Sequence, residues 1–172
     1  CELSRGLGDV YKRQFIKIVD GETVLISNGF APTFGAAWDT NPYAQQWSLT
    51  EGEPPTNRKE VVMDVLTAEN HNFSVGDRVT VLAGATPASF TIVGIAEFAN
   101  VGAPGGATFA LFEFRTAQAL LDSKGEVDLI NVVIENNFDI NDVKNDITNL
   151  DSENLNVINA QEAAAEQADS IK

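Results

Sequence analysis

"EVVMDVLTAENHNFSVGDRVTVLAG", Glu60–Gly84, sets the reading of the whole chain. Its start, Val61–Val65, is an apolar β-rich run expected to form a strand. A short helix is expected near Leu66–Asn70. Phe73 and Val75 then lead into a turn at Gly76-Asp77. Arg78–Leu82 alternates as a strand does. Strand, helix, turn and strand thus succeed one another within one short stretch, so α and β elements interleave here.

Working downstream, "ASFTIVGIAEF" (Ala88–Phe98) reads as another strand, with Gly94 marking a bulge. "NVGAPGGA" (Asn100–Ala107) is a loop and Thr108–Phe114 a further strand. The period then changes. Thr116–Gly125 places Ala117, Leu120 and Leu121 on one face and ends in Lys124-Gly125, a helix-stop signature. Val127–Glu135 is β-rich. Asp139 is expected to cap a helix that buries Ile140, Val143 and Ile147. Leu155–Asn159 reads as a short strand. Asn159 with Glu162 three residues on forms a capping box for a last helix.

Upstream, Phe15–Ser27 has two β-rich arms around Asp20-Gly21, a strong hairpin signal because both central residues take positive φ. Asn28–Trp47, rich in Gly, Pro, Asn and aromatics, is expected to be a long irregular segment that ends with Ser48–Pro55. The order is hairpin, loop, β-rich middle, then β-α-β-α-β-α. That is an α+β chain, with a small β-rich lobe inserted into an α/β sandwich that is split in sequence.

Ser4–Gln14, "SRGLGDVYKRQ", differs in pattern from the acidic residues downstream of it. It matches, residue for residue, the translation of a transposase-type sequencing-library adaptor. Residues 1–14 are therefore expected to be non-native, the natural chain to start no earlier than Phe15, and the gene to have been read from a fragment. The stretch carries Arg5, Lys12 and Arg13 against Glu2 and Asp9, a net +1 within a total of −14. The remaining 158 residues (172 less 14) then carry −15. So acidic a chain is unsuited to nucleic acid, whose phosphates need clustered Lys and Arg. Cys1 falls in the same stretch, which removes disulfides, zinc-thiolate sites and a cysteine nucleophile from the expected chemistry. No run of about 18 apolar residues occurs.

Motifs that could carry catalysis or metal binding fail one by one. His71 is the only histidine and sits in a polar turn. Asp139, Asn141 and Asp142 resemble the start of a calcium loop, but Lys144 occupies the position that needs Gly and Leu150 the position that needs Glu, so the helix-cap reading is preferred. Gly102–Gly106 has no following Gly-Lys-Ser/Thr and is no phosphate loop. No serine lies in a Gly-x-Ser-x-Gly elbow. "NFS" at Asn72 fits a three-residue glycosylation sequon. No catalytic residue, cofactor or metal ligand is expected. Trp38, Tyr43 and Trp47 stand out as candidate contacts to a partner or lipid; the alternative is that they cover the core.

"LTEGEPPTNRKEVVMDVLTAENHNFSVGDRVTV" (Leu49–Val81) followed by "FTIVGIAEF" (Phe90–Phe98) resembles the extracytoplasmic domain of FtsX/MacB-like ABC transporter permeases. The matching pieces are Glu51–Pro55, Glu60–Asp64, Ala68, Val75–Val79 and Val93–Ile95, and Phe112–Glu135 continues the likeness. Glu53 departs from the family's usual Arg. Val157–Lys172 looks like the run-in to the family's second membrane helix. The resemblance implies an α/β Porter-like lobe (15–49 and 105–172) and a β-rich Sabre-like lobe (50–104). It also implies a place outside the cytoplasmic membrane of a bacterium, and a separate cytoplasmic ATPase subunit reached through membrane helices. A permease dimer and an extracellular protein or lipid-like substrate are implied as partners, with no catalysis in this domain. Two other readings stand beside it: a stand-alone extracellular module that binds a ligand through the aromatic loop 28–48, and a hydrolase using a carboxylate pair.

Overall fold

A computed structural model describes residues 2–6, 14–19, 22–26, 33–41, 45–83, 87–98, 107–122, 124–125, 129–134, 137–150, 156–159 and 162. Ten strands and three helices are described: β1 (Glu2–Gly6), β2 (Gln14–Val19), β3 (Glu22–Ile26), β4 (Thr33–Ala37), β5 (Trp47–Gly52), β6 (Glu60–Asp64), α1 (Val65–His71), β7 (Arg78–Leu82), β8 (Pro87–Phe98), β9 (Thr108–Phe112), α2 (Phe114–Leu120), β10 (Leu129–Val133) and α3 (Ile140–Leu150). The fold is α+β. Two compact units divide it: Leu3–Asn131, and Cys1–Glu2 with Val132–Lys172.

The first unit is organised by a mixed eight-stranded sheet, in the order β3-β2-β7-β8-β6-β9-β4 with β5 also on β8; β1 pairs with β10 apart from it. At its centre β6 runs parallel to β8 and antiparallel to β9. Val61, Val62 and Met63 are fully buried because side chains pack on both faces of β6. This explains its unbroken apolar run. One face gathers Val61, Met63, Val79, Phe90, Ile92 and Phe112 with Ala68 and Ala117 from α1 and α2. The other gathers Val62, Ala96 and Leu111 under Trp38, Trp47 and Leu49.

The expected core elements are present with small shifts of boundary. β6 sits one residue earlier than the periodicity suggests and α1 begins one residue earlier and ends one later, because Asp64 caps the helix. The expected hairpin is antiparallel β2–β3, with Val19 opposite Glu22; Asp20 and Gly21 lie outside the described residues. Ser74 to Asp77 closes the Gly76 turn with an Asp77 N to Ser74 O bond of 3.1 Å, and Gly76 takes φ +98°. The bulge expected at Gly94 falls beside it, where Val61 and Val62 face Ile92 and Gly94 and leave Val93 extra.

Several expectations are corrected. The segment expected to be irregular contains β4, parallel to β9, and β5, antiparallel to β8. β4 is mostly small residues, and a Cβ on Gly35 would meet Leu121 and Phe112 at ordinary contact distances of 3.6 and 3.7 Å. β9 ends at Phe112, not Phe114, since Glu113 caps α2; the helix stops at Leu120 with Asp122 in the left-handed region. Asp139 does cap α3, its Oδ1 accepting from Asn141 N at 2.7 Å. Yet α3 buries no residue fully: Ile140 is exposed, and Val143 and Ile147 are half-buried. Residues 156–159 form no strand. Asn159 and Glu162 make the expected capping box, each backbone N–H donating to the other's side chain at 2.8 and 2.9 Å. Strands β6 and β9 belong to one sheet.

Candidate functional site

The side chains singled out by sequence converge in part. β4 runs on into Trp38, whose N–H donates to Phe112 O at 2.8 Å and so extends the β4–β9 ladder. Gln45 ties back to the residues that follow Trp38: its backbone N–H donates to Asn41 O at 2.9 Å. Its side-chain N–H donates to Asp39 O at 2.6 Å, and its Oε1 accepts from Trp47 N at 2.9 Å. Asp39 Oδ1 in turn accepts from Asn41 N at 2.9 Å. These bonds fix where Trp47 enters β5. Trp47 packs edge-on to Phe98 (5.3 Å between ring centroids) and against Phe109 (5.1 Å), which meets Phe34 at 5.0 Å.

The result is an aromatic face on the sheet side opposite α1 and α2. Trp38 and Trp47 are both half-buried over Val62, Ala96 and Leu111, so they cover this second core and keep part of each indole accessible. Tyr43 lies outside the described residues. Phe34, Phe98 and Phe109 belong to the same face and were not singled out in the sequence. The signal for Phe34 and Phe109 is the alternation of β4 and β9, which reads only once both are known to be paired strands; Phe98 joins them by pairing with Trp47 at the end of β8.

The carboxylates are structural. Asp64 is wholly buried; its Oδ1 accepts from Thr67 N and its Oδ2 from Phe109 N, both at 2.8 Å. Burial pushes its pKa up, and the hydrogen bonds oppose that push. Glu113 accepts from Arg115 N at 3.0 Å and Thr116 N at 3.1 Å; burial alone would raise it, but these bonds and the Arg115 charge hold it below the usual range. Glu60 is held low first by the Thr56 amide, with the Thr56 hydroxyl and Asn57 adding to it. His71 closes α1 half-buried, 6.0 Å from the Phe73 ring. Among the described residues no group of three His, Cys, Asp or Glu side chains could hold a metal ion. No helix among them is long and apolar enough to cross a membrane.

Residues 9–150 match the MacB-like periplasmic core domain, and the chain belongs to that family. It is similar in fold to a domain assigned to a permease protein from Porphyromonas gingivalis (TM-score 0.58, 12% identity, covering 91% of this chain and 71% of that one). It is similar also to the periplasmic region of MacB from Actinobacillus actinomycetemcomitans (TM-score 0.54, 14% identity, 87% and 65%). None of the curated proteins compared with it matches. The family match begins at residue 9, inside the adaptor-like stretch.

Proposed function

We propose that this domain stands outside the cytoplasmic membrane as part of an ABC transporter permease of the FtsX/MacB kind, and that it catalyses no reaction. In this reading a separate cytoplasmic ATPase drives membrane helices of the full permease. The domain passes that motion to a protein or lipid-like substrate outside, within a permease dimer. The observation that carries the reading is the family match over residues 9–150. The continuous sheet supports it, since a body that transmits force must move as a unit. Trp38 and Trp47, with Tyr43 between them in sequence, are the contact surface this reading assigns; half-buried aromatics combine rigidity with accessible apolar area.

The test is to express the uninterrupted gene with its neighbours and purify from membranes. Co-purification with an ATPase subunit, and a photo-crosslinker at Trp38 capturing an extracytoplasmic protein or lipid, is the expected result. A secreted product without membrane helices would favour the stand-alone binding module instead.

A further inference from the structure

The strand beside β10 is poorly matched to it. β1 is Glu2-Leu3-Ser4-Arg5-Gly6, with one apolar residue, and it lies in the stretch expected to be non-native. β10 is Leu129-Ile130-Asn131-Val132-Val133, apolar at four of five positions and rich in β-branched residues. The two pair in a sheet of their own. Cross-strand side-chain pairs normally stabilise a ladder, and glycine and glutamate are poor strand formers. A ladder between these two sequences therefore rests on main-chain hydrogen bonds, which any extended segment can make. β10 thus accepts a strand that was never selected to fit it.

The second unit is also short of apolar cover. Among the described residues seven large hydrophobics are exposed, and four of them (Phe138, Ile140, Leu150 and Ile158) belong to this unit. A fifth, Ile130, is in β10 itself. α3 buries no residue fully, although Ile140, Val143, Ile147 and Leu150 share one of its faces. Exposed apolar side chains grouped in this way mark a surface that meets a partner.

We propose that the edge of β10 is the docking site for a strand of the natural protein, formed by the residues that precede Phe15 in the uninterrupted gene and apolar at alternate positions. The adaptor-like β1 takes its place here. Chain continuity favours this occupant over a strand from another molecule, because a segment running directly into β2 is held at high effective concentration. The apolar alternation follows from β10, where Ile130 and Val132 share a face and need cross-strand neighbours. The inference rests on residues 1–14 being non-native and not on the permease reading, so its failure leaves the membrane assignment standing.

The test compares this chain with one in which the natural residues replace residues 1–14, by amide hydrogen exchange at Leu129–Val133. The natural segment is expected to slow exchange there at least about tenfold and to raise the thermal midpoint. In this chain Leu3→Pro/Ser4→Pro is expected to speed exchange at β10 and leave the thermal midpoint unchanged. Neighbouring N–H groups point to opposite sides of a strand, so one of the two prolines removes a donor to β10 in any register. An uninterrupted gene that encodes the same residues 1–14 would overturn the proposal. So would natural residues that leave exchange at β10 no slower than here, or prolines that leave it unchanged. Protection of β10 that rises with protein concentration would overturn it too, by assigning the strand to a second copy.

Discussion

The amide of Phe109 donates to Oδ2 of Asp64 across 2.8 Å, joining two strands 45 residues apart at the point where α1 begins. The other oxygen of the same carboxylate caps α1 through Thr67 N. One fully buried side chain therefore holds β6, α1 and β9 in place. Asp64→Asn would set an amide donor against one of these N–H groups. The expected loss is about 1–3 kcal/mol of unfolding free energy, measured by urea denaturation at neutral pH.

The same residue predicts a pH dependence. Its folded-state pKa lies above the ordinary 3.8, so the native state holds the proton more tightly than the unfolded chain. Its contribution to stability is complete below 3.8 and is lost as pH rises through the raised value. Subtracting the Asp64→Asn stability profile from that of the parent should show this decline with rising pH. A flat difference would mean that Asp64 titrates normally.

Glu113 predicts the opposite slope. Its folded value lies below 4.5, so its stabilisation is present above 4.5 and is lost as pH falls through the lowered value. Glu113→Ala should cost about 1 kcal/mol at neutral pH through the lost cap on α2. The variant should also lack the acid-side loss, as measured by thermal unfolding between pH 3 and 6 (roughly the carboxylate range).

Three glycines separate crowding from backbone strain. A Cβ on Gly52, at φ +76°, would lie 2.1 Å from Val93 O; one on Gly94 would lie 2.6 Å from Glu53 O. Gly76 has φ +98° but nothing within 4 Å. Gly76→Ala should therefore cost about 1 kcal/mol, from conformation alone. Gly52→Ala should cost more than about 2 kcal/mol, because strain and overpacking act together. Gly94→Ala should cost roughly 1–3 kcal/mol through backbone crowding. Equal losses at Gly52 and Gly76 would show that β5 can move away from β8.

Trp47 carries both packing and the assigned contact. Trp47→Ala should lose about 2–3 kcal/mol, less than a fully buried tryptophan, with its contacts to Phe98 and Phe109 gone. Trp47→Phe should keep most of the stability while weakening capture of a partner by a crosslinker at Trp38. Unchanged capture would remove Trp47 from the contact surface.

Much of the sheet is legible in the sequence because its strands obey simple rules. β6, β7 and β8 declare themselves by apolar runs and alternation, the β2–β3 hairpin by Asp-Gly, and α3 by Asp139. β4 is not legible: Thr-Phe-Gly-Ala-Ala has weak β propensity, and its place comes from pairing with β9, far along the chain. β5 is hidden by its polar edge residues and the turn at Gly52. The apolar face of α3 is legible as a face but not in its degree of burial, because periodicity shows which residues can pack and not how closely a neighbour comes. In the site, Trp38 and Trp47 are visible as residue types. Their grouping with Phe34, Phe98 and Phe109 depends on register, as does the reach of Asp64 to Phe109.

Labelling from outside the cell tests the central claim most directly. Ser48 is exposed on β5, and the chain's one cysteine, Cys1, lies beside the adaptor-like stretch. In the uninterrupted gene product carrying Ser48→Cys and made in intact cells, a membrane-impermeant maleimide should modify the new thiol without lysis, and the protein should sediment with membranes. Modification only after lysis would place the domain on the cytoplasmic side and contradict the account.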